Sequence, residues 1–373
     1  MTGVGMGPWA TQILGDMGAD VIKIEPAEGD VFRFVRPSHH ESMSPAYLNL
    51  NRNKRSVVLD AKTPKGLAAI KRLVARGDVF VSNVRPQAMR RLGLDYAAVS
   101  QVNPRIIYCA CYGFSEDGPY AGRAAVDDIV QAASGLAWLQ GFGQAAPRYV
   151  NAIVADKVVG TTVAQAIGFA LYSRERTGHG QAIEVPMFET MVAFNSPEHL
   201  AGRTFVPPLG EAGYARLLNP YRKPFKTADG YIGVVPYNDH QWKRFFDIAG
   251  KPAMIEEPRY ATILARSNYF AELYKFIEDT LATNTTAHWS AAFAKAELPF
   301  APVNSFDDLF TDPHLTAIGF WKEIDHPTEG KLRMPGIAVK FSATPATLRR
   351  HAPNIGEHTD EVLREIGLDP TNE

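Results

Sequence analysis

Asp156 stands at the start of a stretch of small and apolar residues that predicts a long helix running to Arg176. Aspartate is a preferred helix N-cap, and from the residues alone a cap is the commoner role for such a position. The partial positive charge of a helix N-terminus also favours the anionic carboxylate. A carboxylate held ionised near apolar surface can attack an activated acyl group and form a mixed anhydride. Asp156 is therefore a candidate nucleophile, with a structural cap as the alternative.

Basic side chains form a second candidate site. Lys62 follows the predicted strand SVVLD (56–60), Arg85 follows the predicted strand DVFVSN (78–83), and Arg91 lies in the next predicted helix. Ligands of doubly wound sheets bind at the carboxyl ends of the strands, where lysine and arginine neutralise phosphates. Each residue taken alone is more often a solvated surface charge. Three of them on one rim predict a phosphate-binding site.

Other constellations are weaker. Asp127 and Asp128 begin a predicted helix and are candidate caps. The glycines of GVGMG (3–7) follow only two residues, so no strand precedes them as a dinucleotide site requires. Neither the G-x-S-x-G nor the H-E-x-x-H spacing occurs. Cys109 and Cys111 share one face of a predicted strand, which favours buried structural residues over a metal site; no metal site is expected.

The elements that position these residues alternate between short β-branched runs and helical stretches. This alternation predicts parallel strands with helical crossovers, in an α/β doubly wound domain. Gly18, Gly77 and Gly93 stand where the helices are expected to end. The predicted strands are DVIKIE (20–25), SVVLD (56–60), DVFVSN (78–83) and IIYCACY (106–112), and the predicted helices are WATQILGDMG (9–18), PKGLAAIKRLVARG (64–77) and PQAMRRLGL (86–94).

Two domains are expected for 373 residues, because a single core rarely grows to that length. Proline, glycine and aromatic residues accumulate over residues 204–230, which predicts a linker. The expected division is a large domain over 1–200, a linker and smaller domain over 201–315, and a C-terminal return to the large domain over 316–373.

Charge and composition narrow the class of protein. The formal net charge is -1, from 39 basic and 40 acidic side chains, whereas nucleic-acid-binding domains normally carry a basic excess. The N-terminal MTGVGMGPWATQ lacks the basic and then apolar profile of a signal peptide. We expect no apolar stretch of the length that crosses a bilayer. A cytoplasmic protein that binds neither nucleic acid nor membrane is the expectation.

Seven motifs, in register over essentially the whole chain, resemble the class III CoA-transferases, the CaiB/BaiF family that includes formyl-CoA and carnitine CoA-transferases. The motifs are GPWATQILGDMGADVIKIEP, GDVFR, YLNLNRNKRSVVLDAKTPKG, NVRPQAMRRLGLDY, YGFSEDGPYAGRAAVDDIVQAASG, TGHGQAIEVPMFE and KFSATP with GEHTDEVL.

The resemblance implies an enzyme that moves CoA from an acyl-CoA donor to a free carboxylic acid. Its catalytic aspartate corresponds to Asp156, which would form an aspartyl-acyl anhydride and then an aspartyl-CoA thioester. The implied fold is a Rossmann-type large domain with a smaller α/β domain, in an interlocked homodimer. CoA is implied as a substrate and not as a permanently bound cofactor. The implied CoA contacts are Leu59, Lys62, Asn83, Val84, Arg85 and Arg91.

The chain departs from the family pattern in three places. Members begin with a V-L-D-L-S strand, whereas six residues precede Gly7 here, so that either the first strand is missing or the true start lies elsewhere. A glutamine of formyl-CoA transferase aligns with Gly5, which argues against formate–oxalate exchange. A lysine that contacts CoA in that enzyme aligns with Ala124, for which Arg123 is the candidate substitute.

Two alternatives stay open. α-Methylacyl-CoA racemases share the implied fold and an aspartate at the position of Asp156, but use a histidine where this chain has Asp127. A CoA-binding paralogue without catalytic activity is the second alternative. The sequence does not define the substrate acids; Arg33 is a candidate to hold the second carboxylate of a dicarboxylic acid.

Overall fold

The structure, a computed structural model, describes residues 1–370 and is a mixed α/β protein, as predicted. The α-helices are α1 Met6–Asp16, α2 Pro45–Leu50, α3 Pro64–Arg76, α4 Pro86–Leu92, α5 Tyr96–Val102, α6 Asp127–Ala133, α7 Leu136–Gly141, α8 Val154–Thr177, α9 Met187–His199, α10 Asp239–Ile248, α11 Ile263–Arg266, α12 Phe270–Leu281, α13 Thr286–Lys295, α14 Pro313–Ala317 and α15 Thr359–Glu365. The strands are β1 Val21–Glu25, β2 Lys54–Val58, β3 Val79–Ser82, β4 Ile107–Tyr112, β5 Gln181–Pro186, β6 Phe225–Lys226, β7 Tyr231–Val234, β8 Phe300–Pro302, β9 Trp321–His326 and β10 Gly330–Pro335.

The chain divides into two compact units. One comprises Met1–Ala137, Arg148–Asn195 and the chain from His314 onward, and the other comprises Trp138–Pro147 and Ser196–Pro313. All the predicted site residues lie in the first unit.

The first unit contains the parallel strands that the alternating pattern predicts. β1 pairs with β2 in parallel, and β3, β4 and β5 form a parallel sheet in that order. Helix α3 connects β2 to β3, and α4 and α5 connect β3 to β4. The described strands form separate two- and three-stranded sheets, where the doubly wound prediction implies one continuous sheet. β9 and β10 add an antiparallel hairpin.

Local sequence explains the ends of these crossover helices. The Thr63 hydroxyl accepts a hydrogen bond from the Gly66 amide, and Pro64 supplies a fixed φ at the first helical position of α3. Gly93 ends α4 with a φ of 62°, in the left-handed conformation that glycine adopts at no steric cost. Gly77 ends α3 in an extended conformation instead, with a φ of -77°.

Helix α8 forms the centre of the core that supports the candidate nucleophile. Its Val159, Val163 and Ile167 pack with Cys109 and Cys111 of β4, and all five are fully buried. The two cysteines share one face of the strand, as predicted. Burial raises the pKa of the Cys109 thiol to about 12 and that of Cys111 well above its ordinary value.

Close packing joins α8 to α1. A Cβ added at Gly160 would lie 2.5 Å from the Met6 carbonyl oxygen, so a larger residue would push the helices apart. The Trp9 indole N–H also donates to the Thr161 hydroxyl at 3.1 Å. These contacts fix the N-terminal end of α1 against the first turns of α8.

α8 is 24 residues long and apolar enough to cross a membrane by length and composition, so the expectation that no stretch reaches this length is wrong. A core helix of a folded domain passes the same test. Its buried Arg174 donates to the carbonyl of Asp78 and pairs with the Asp78 carboxylate at 3.0 Å. These contacts, with the buried valines, are those of a core helix.

The second unit has its own core. β6, β7 and β8 form an antiparallel sheet. Aromatic side chains of α10 and α13 pack beside it, including Trp242, Phe245, Phe246 and Phe293, each no more than 1% exposed.

Candidate active site

Asp156 is the third residue of α8 and lies in the first turn of the helix. The N-cap position belongs to Ile153, and no side chain caps the helix from there. The N-cap role considered for Asp156 is therefore wrong. The side chain is free of that structural task, although the residue is only 6% exposed.

Asp127 of α6 supplies the cap that α8 lacks. Its Oδ1 accepts a hydrogen bond from the Asp156 amide at 2.9 Å, and its Oδ2 accepts one from the Gln131 side chain at 2.5 Å. Gln131 also bonds the main chain of Val150 and Ala152, in the segment that leads into α8. Asp127 thus fixes the main chain of the candidate nucleophile, a role that sequence reasoning missed. The prediction of Asp127 or Asp128 as the cap of α6 is wrong, because the N-cap position belongs to Val126 and no side chain caps this helix.

The Asp156 carboxylate lies at the N-terminus of α1. The main-chain N–H of Met6, the first residue of α1, faces the carboxylate and lowers its pKa. Gly5 precedes Met6, and a Cβ added at Gly5 would lie 2.3 Å from Asp156 Oδ2. Only glycine at position 5 leaves room for the carboxylate in this place. The departure from the family pattern at Gly5 was the only sequence signal for this contact.

Burial and, to a smaller extent, the charge of the Asp127 carboxylate raise the pKa of Asp156 from its ordinary value of 3.8 to about 7, against the lowering effect of the Met6 amide. The charge of Asp156 in turn contributes to the raised pKa of the buried Cys111 thiol of β4. The expectation that the helix N-terminus holds Asp156 ionised is thus not met, because desolvation and a like charge outweigh the helix.

We expect the Asp127→Asn variant to shift the acid limb of the pH dependence of kcat/KM to lower pH. The asparagine oxygen can still accept the Asp156 amide, whereas the negative charge that raises the Asp156 pKa is gone. The profile for free enzyme, measured from pH 5 to pH 9 alongside wild type, checks this. An unchanged limb would show that Asp156 is not the group that titrates.

The predicted basic residues lie on the surface of the first unit. Lys62, Arg85 and Arg91 are all exposed. The Lys62 amide donates to the Asp60 carboxylate just after β2, and Arg85 occupies the N-cap position of α4. Their side chains stay candidates for phosphate contacts.

The other predicted CoA contacts are more enclosed. Leu59 is 5% exposed and packs in the core, so a ligand would meet its main chain and not its side chain. Val84 is partly buried. Asn83 follows β3, and its side chain both donates to and accepts from the main chain of Gly3, at 2.8 and 3.1 Å. Asn83 therefore fixes the segment that leads to Gly5.

Arg33 cannot hold a substrate carboxylate in this structure. Its side chain is fully buried and pairs with Glu25 at 2.6 Å. It also donates to the Tyr47 hydroxyl at 2.5 Å. This part of the sequence-based hypothesis is wrong, because the arginine is committed to the core.

Comparison with known proteins identifies a family and several relatives that match nearly the whole chain. The family model for CoA-transferase family III matches residues 1–359. The succinate–glutarate CoA-transferase of Agrobacterium fabrum is 36% identical, over 96% of this chain and 92% of that protein. Human succinyl-CoA:glutarate CoA-transferase is 34% identical, over 98% of this chain and 84% of that protein. The crystal structure of a CaiB/BaiF family protein from Brucella suis superposes with a TM-score of 0.82 at 30% identity, covering 98% of this chain and 97% of that one.

The resemblance drawn from the seven motifs is thereby confirmed. So is the prediction of an enzyme that moves CoA from an acyl-CoA donor to a free carboxylic acid. The chain belongs to CoA-transferase family III.

Proposed function

We propose that Asp156 is the covalent relay of this CoA transfer. Its carboxylate attacks the carbonyl of the donor thioester, forming the aspartyl-acyl anhydride and expelling CoA thiolate. The thiolate then attacks the Asp156 carbonyl and expels the donor acid, which leaves an aspartyl-CoA thioester. The acceptor carboxylate attacks the same carbonyl, releases the thiolate and forms a second anhydride, between Asp156 and the acceptor. The thiolate then attacks the acceptor carbonyl of this anhydride, which yields the acceptor's CoA thioester and restores the Asp156 carboxylate.

The single observation that carries this proposal is the position of the Asp156 carboxylate. The residue is almost fully buried, its carboxylate lies at the N-terminus of α1, and its pKa is raised to about 7. A carboxylate with a pKa near neutrality is more basic than an exposed one, yet a large fraction is ionised at physiological pH. The dry surroundings also protect an anhydride from water.

We propose that CoA binds along the ends of β2 and β3. The exposed Lys62, Arg85 and Arg91 would neutralise its phosphates, and the main chain of Leu59, Asn83 and Val84 would contact the rest of the molecule. For the acids we propose short dicarboxylates, since two relatives are named for succinate and glutarate.

We further propose a cytoplasmic, interlocked homodimer with a Rossmann-type large domain (1–200 and 316–373) and a small domain (201–315). The parallel order of β3, β4 and β5 supports the Rossmann-type class. Large apolar side chains at the surface, including Phe169 and Tyr172 of α8 at 67% and 64% exposure, are suited to a subunit interface.

The racemase alternative is not favoured. A racemase needs a second acid–base group at the position of Asp127, but both oxygens of this carboxylate accept hydrogen bonds, from the Asp156 amide and from Gln131. The α-carbon of a bound acyl group would therefore meet no free proton donor from this side chain.

Trapping tests the proposal. We expect hydroxylamine, added to enzyme that is turning over succinyl-CoA and glutarate, to convert Asp156 into a hydroxamate that mass spectrometry locates. Enzyme without acyl-CoA is the control. A label on another residue would refute the assignment of Asp156, and deuterium incorporation at the α-carbon without CoA transfer would favour the racemase.

A further inference from the structure

We infer that the main-chain N–H of Met6 is the oxyanion-stabilising donor for the two steps in which the carbonyl of Asp156 itself is attacked. The inference rests on the proposed function of Asp156, and it assigns a catalytic role to the N-terminus of α1.

The main-chain N–H groups at the N-terminus of α1 have no acceptor within their own helix. Gly5, at the N-cap position, has no side chain to cap the helix, and the first turn contains no acidic residue. Pro8 has no N–H, and the Trp9 amide already bonds the Gly5 carbonyl. The donors at this end therefore come from Met6 and Gly7.

The acceptor comes from a distant part of the chain. Asp156 Oδ2 lies where a side chain at Gly5 would stand, at the N-terminus of α1, and the Met6 N–H faces this carboxylate. The α1–α8 contact at Gly160 holds the two helices in register. Helix ends and main-chain amides are rigid donors, so they need little rearrangement when charge develops on the oxygen in front of them.

The chemistry places charge at this oxygen. When CoA thiolate attacks the anhydride, a C–S bond forms at the Asp156 carbonyl carbon and the C=O electron pair moves to its oxygen. The alkoxide then collapses, the C–O bond to the acyl group breaks, and the donor acid leaves as its carboxylate. Acceptor attack on the thioester repeats the sequence at the same carbon and expels the thiolate. In both cases the negative oxygen belongs to Asp156, beside the Met6 N–H.

The first and last steps differ. There the attacked carbonyl belongs to the donor or acceptor acyl group, and its oxygen is not the one that Met6 contacts. Loss of the Met6 N–H should therefore slow turnover while the first release of CoA thiolate continues. A structural role for α1 would slow all steps together.

The test compares Met6→Pro with Met6→Ala. Proline is accepted at the first position of a helix and removes only the N–H that the helix does not use. Both variants lose the buried Met6 side chain, which is 4% exposed, so their difference isolates the donor. We expect Met6→Ala to keep most of its turnover and Met6→Pro to lose about 100-fold relative to it, the effect of removing one oxyanion donor.

The pre-steady-state burst of CoA thiol and the hydroxylamine label on Asp156 should persist in Met6→Pro. Equal turnover in the two variants would overturn the inference and leave the proposed function standing. Absence of the Asp156 label in wild type would instead refute the proposed function.

A measurement on wild-type protein covers the case in which Met6→Pro does not fold. In enzyme labelled with ¹⁵N-methionine, we expect the Met6 amide proton, assigned by its absence in Met6→Ala, to move downfield as the pH rises through about 7. The same resonance should stay still in Asp156→Asn. A wild-type resonance that does not move overturns the inference.

Discussion

The Asp156→Asn variant is expected to lose CoA transfer by roughly 1,000-fold or more, since removal of a covalent nucleophile costs at least that much in comparable enzymes. Asparagine matches the shape of aspartate and can still accept the Met6 N–H, so the loss reports the missing nucleophile and not a collapsed site. Radiolabel exchange between succinyl-CoA and glutarate measures the rate.

Asp128→Asn is the matched control. Asp128 lies beside Asp127 in the first turn of α6, but its side chain is exposed. This variant should exchange label at the wild-type rate. Wild-type exchange by Asp156→Asn would end the assignment.

The same Asp156→Asn substitution should raise the Tm at pH 8. The pKa of Asp156 is about 7 in the folded protein and 3.8 ordinarily, so between these values the folded state binds more protons than the unfolded state. Stability therefore falls as the pH rises from about 4 to about 7, and the cost is fully present above that range, on the order of a few kcal/mol. Asparagine removes the cost, and calorimetry at pH 8 and pH 4 should show a gain only at the higher pH.

Gly5→Ala is expected to have the second-largest effect. The new Cβ would stand 2.3 Å from Asp156 Oδ2, so the carboxylate must leave the end of α1. Gly5 has a φ of -105° and a ψ of -63°, a conformation open to alanine, so the backbone should keep its fold. We expect kcat to fall by about 100-fold, comparable to the loss of one oxyanion donor, with little change in the KM for acyl-CoA.

Gly168→Ala is the matched glycine substitution. Gly168 lies in α8, as Asp156 does, and nothing stands within 4 Å of an added Cβ. Steady-state kinetics of the two variants should separate clearly. If Gly5→Ala has the same kcat as Gly168→Ala, the Asp156 carboxylate does not act from its position at the N-terminus of α1.

Local patterns predicted much of the first unit. The strands β1 to β4 and the helices α1, α3 and α4 lie within a few residues of their predicted bounds, because short-range hydrophobic periodicity and caps determine them. The long helix predicted from Asp156 to Arg176 is α8, Val154–Thr177. The motifs added the family and the reaction, which no periodicity could supply.

The candidate site could be predicted only in outline. The position of Asp156 came from the motifs, but its partners Gly5 and Met6 are some 150 residues away in sequence, and no local pattern records that contact. The cap by Asp127 is also tertiary. Burial decides both the raised pKa of Asp156 and the loss of Arg33 to the core, and burial is a property of the folded chain.

Because its cysteines are buried, this protein should contribute no signal of its own in a thiol assay. Cys109 and Cys111, the two cysteines of the sequence, have no exposed surface and resist deprotonation. An aromatic disulfide reagent reacts with thiolates that it can reach. In a stopped-flow experiment on folded enzyme, its colour would therefore report CoA thiol alone, without any correction for the enzyme's own cysteines.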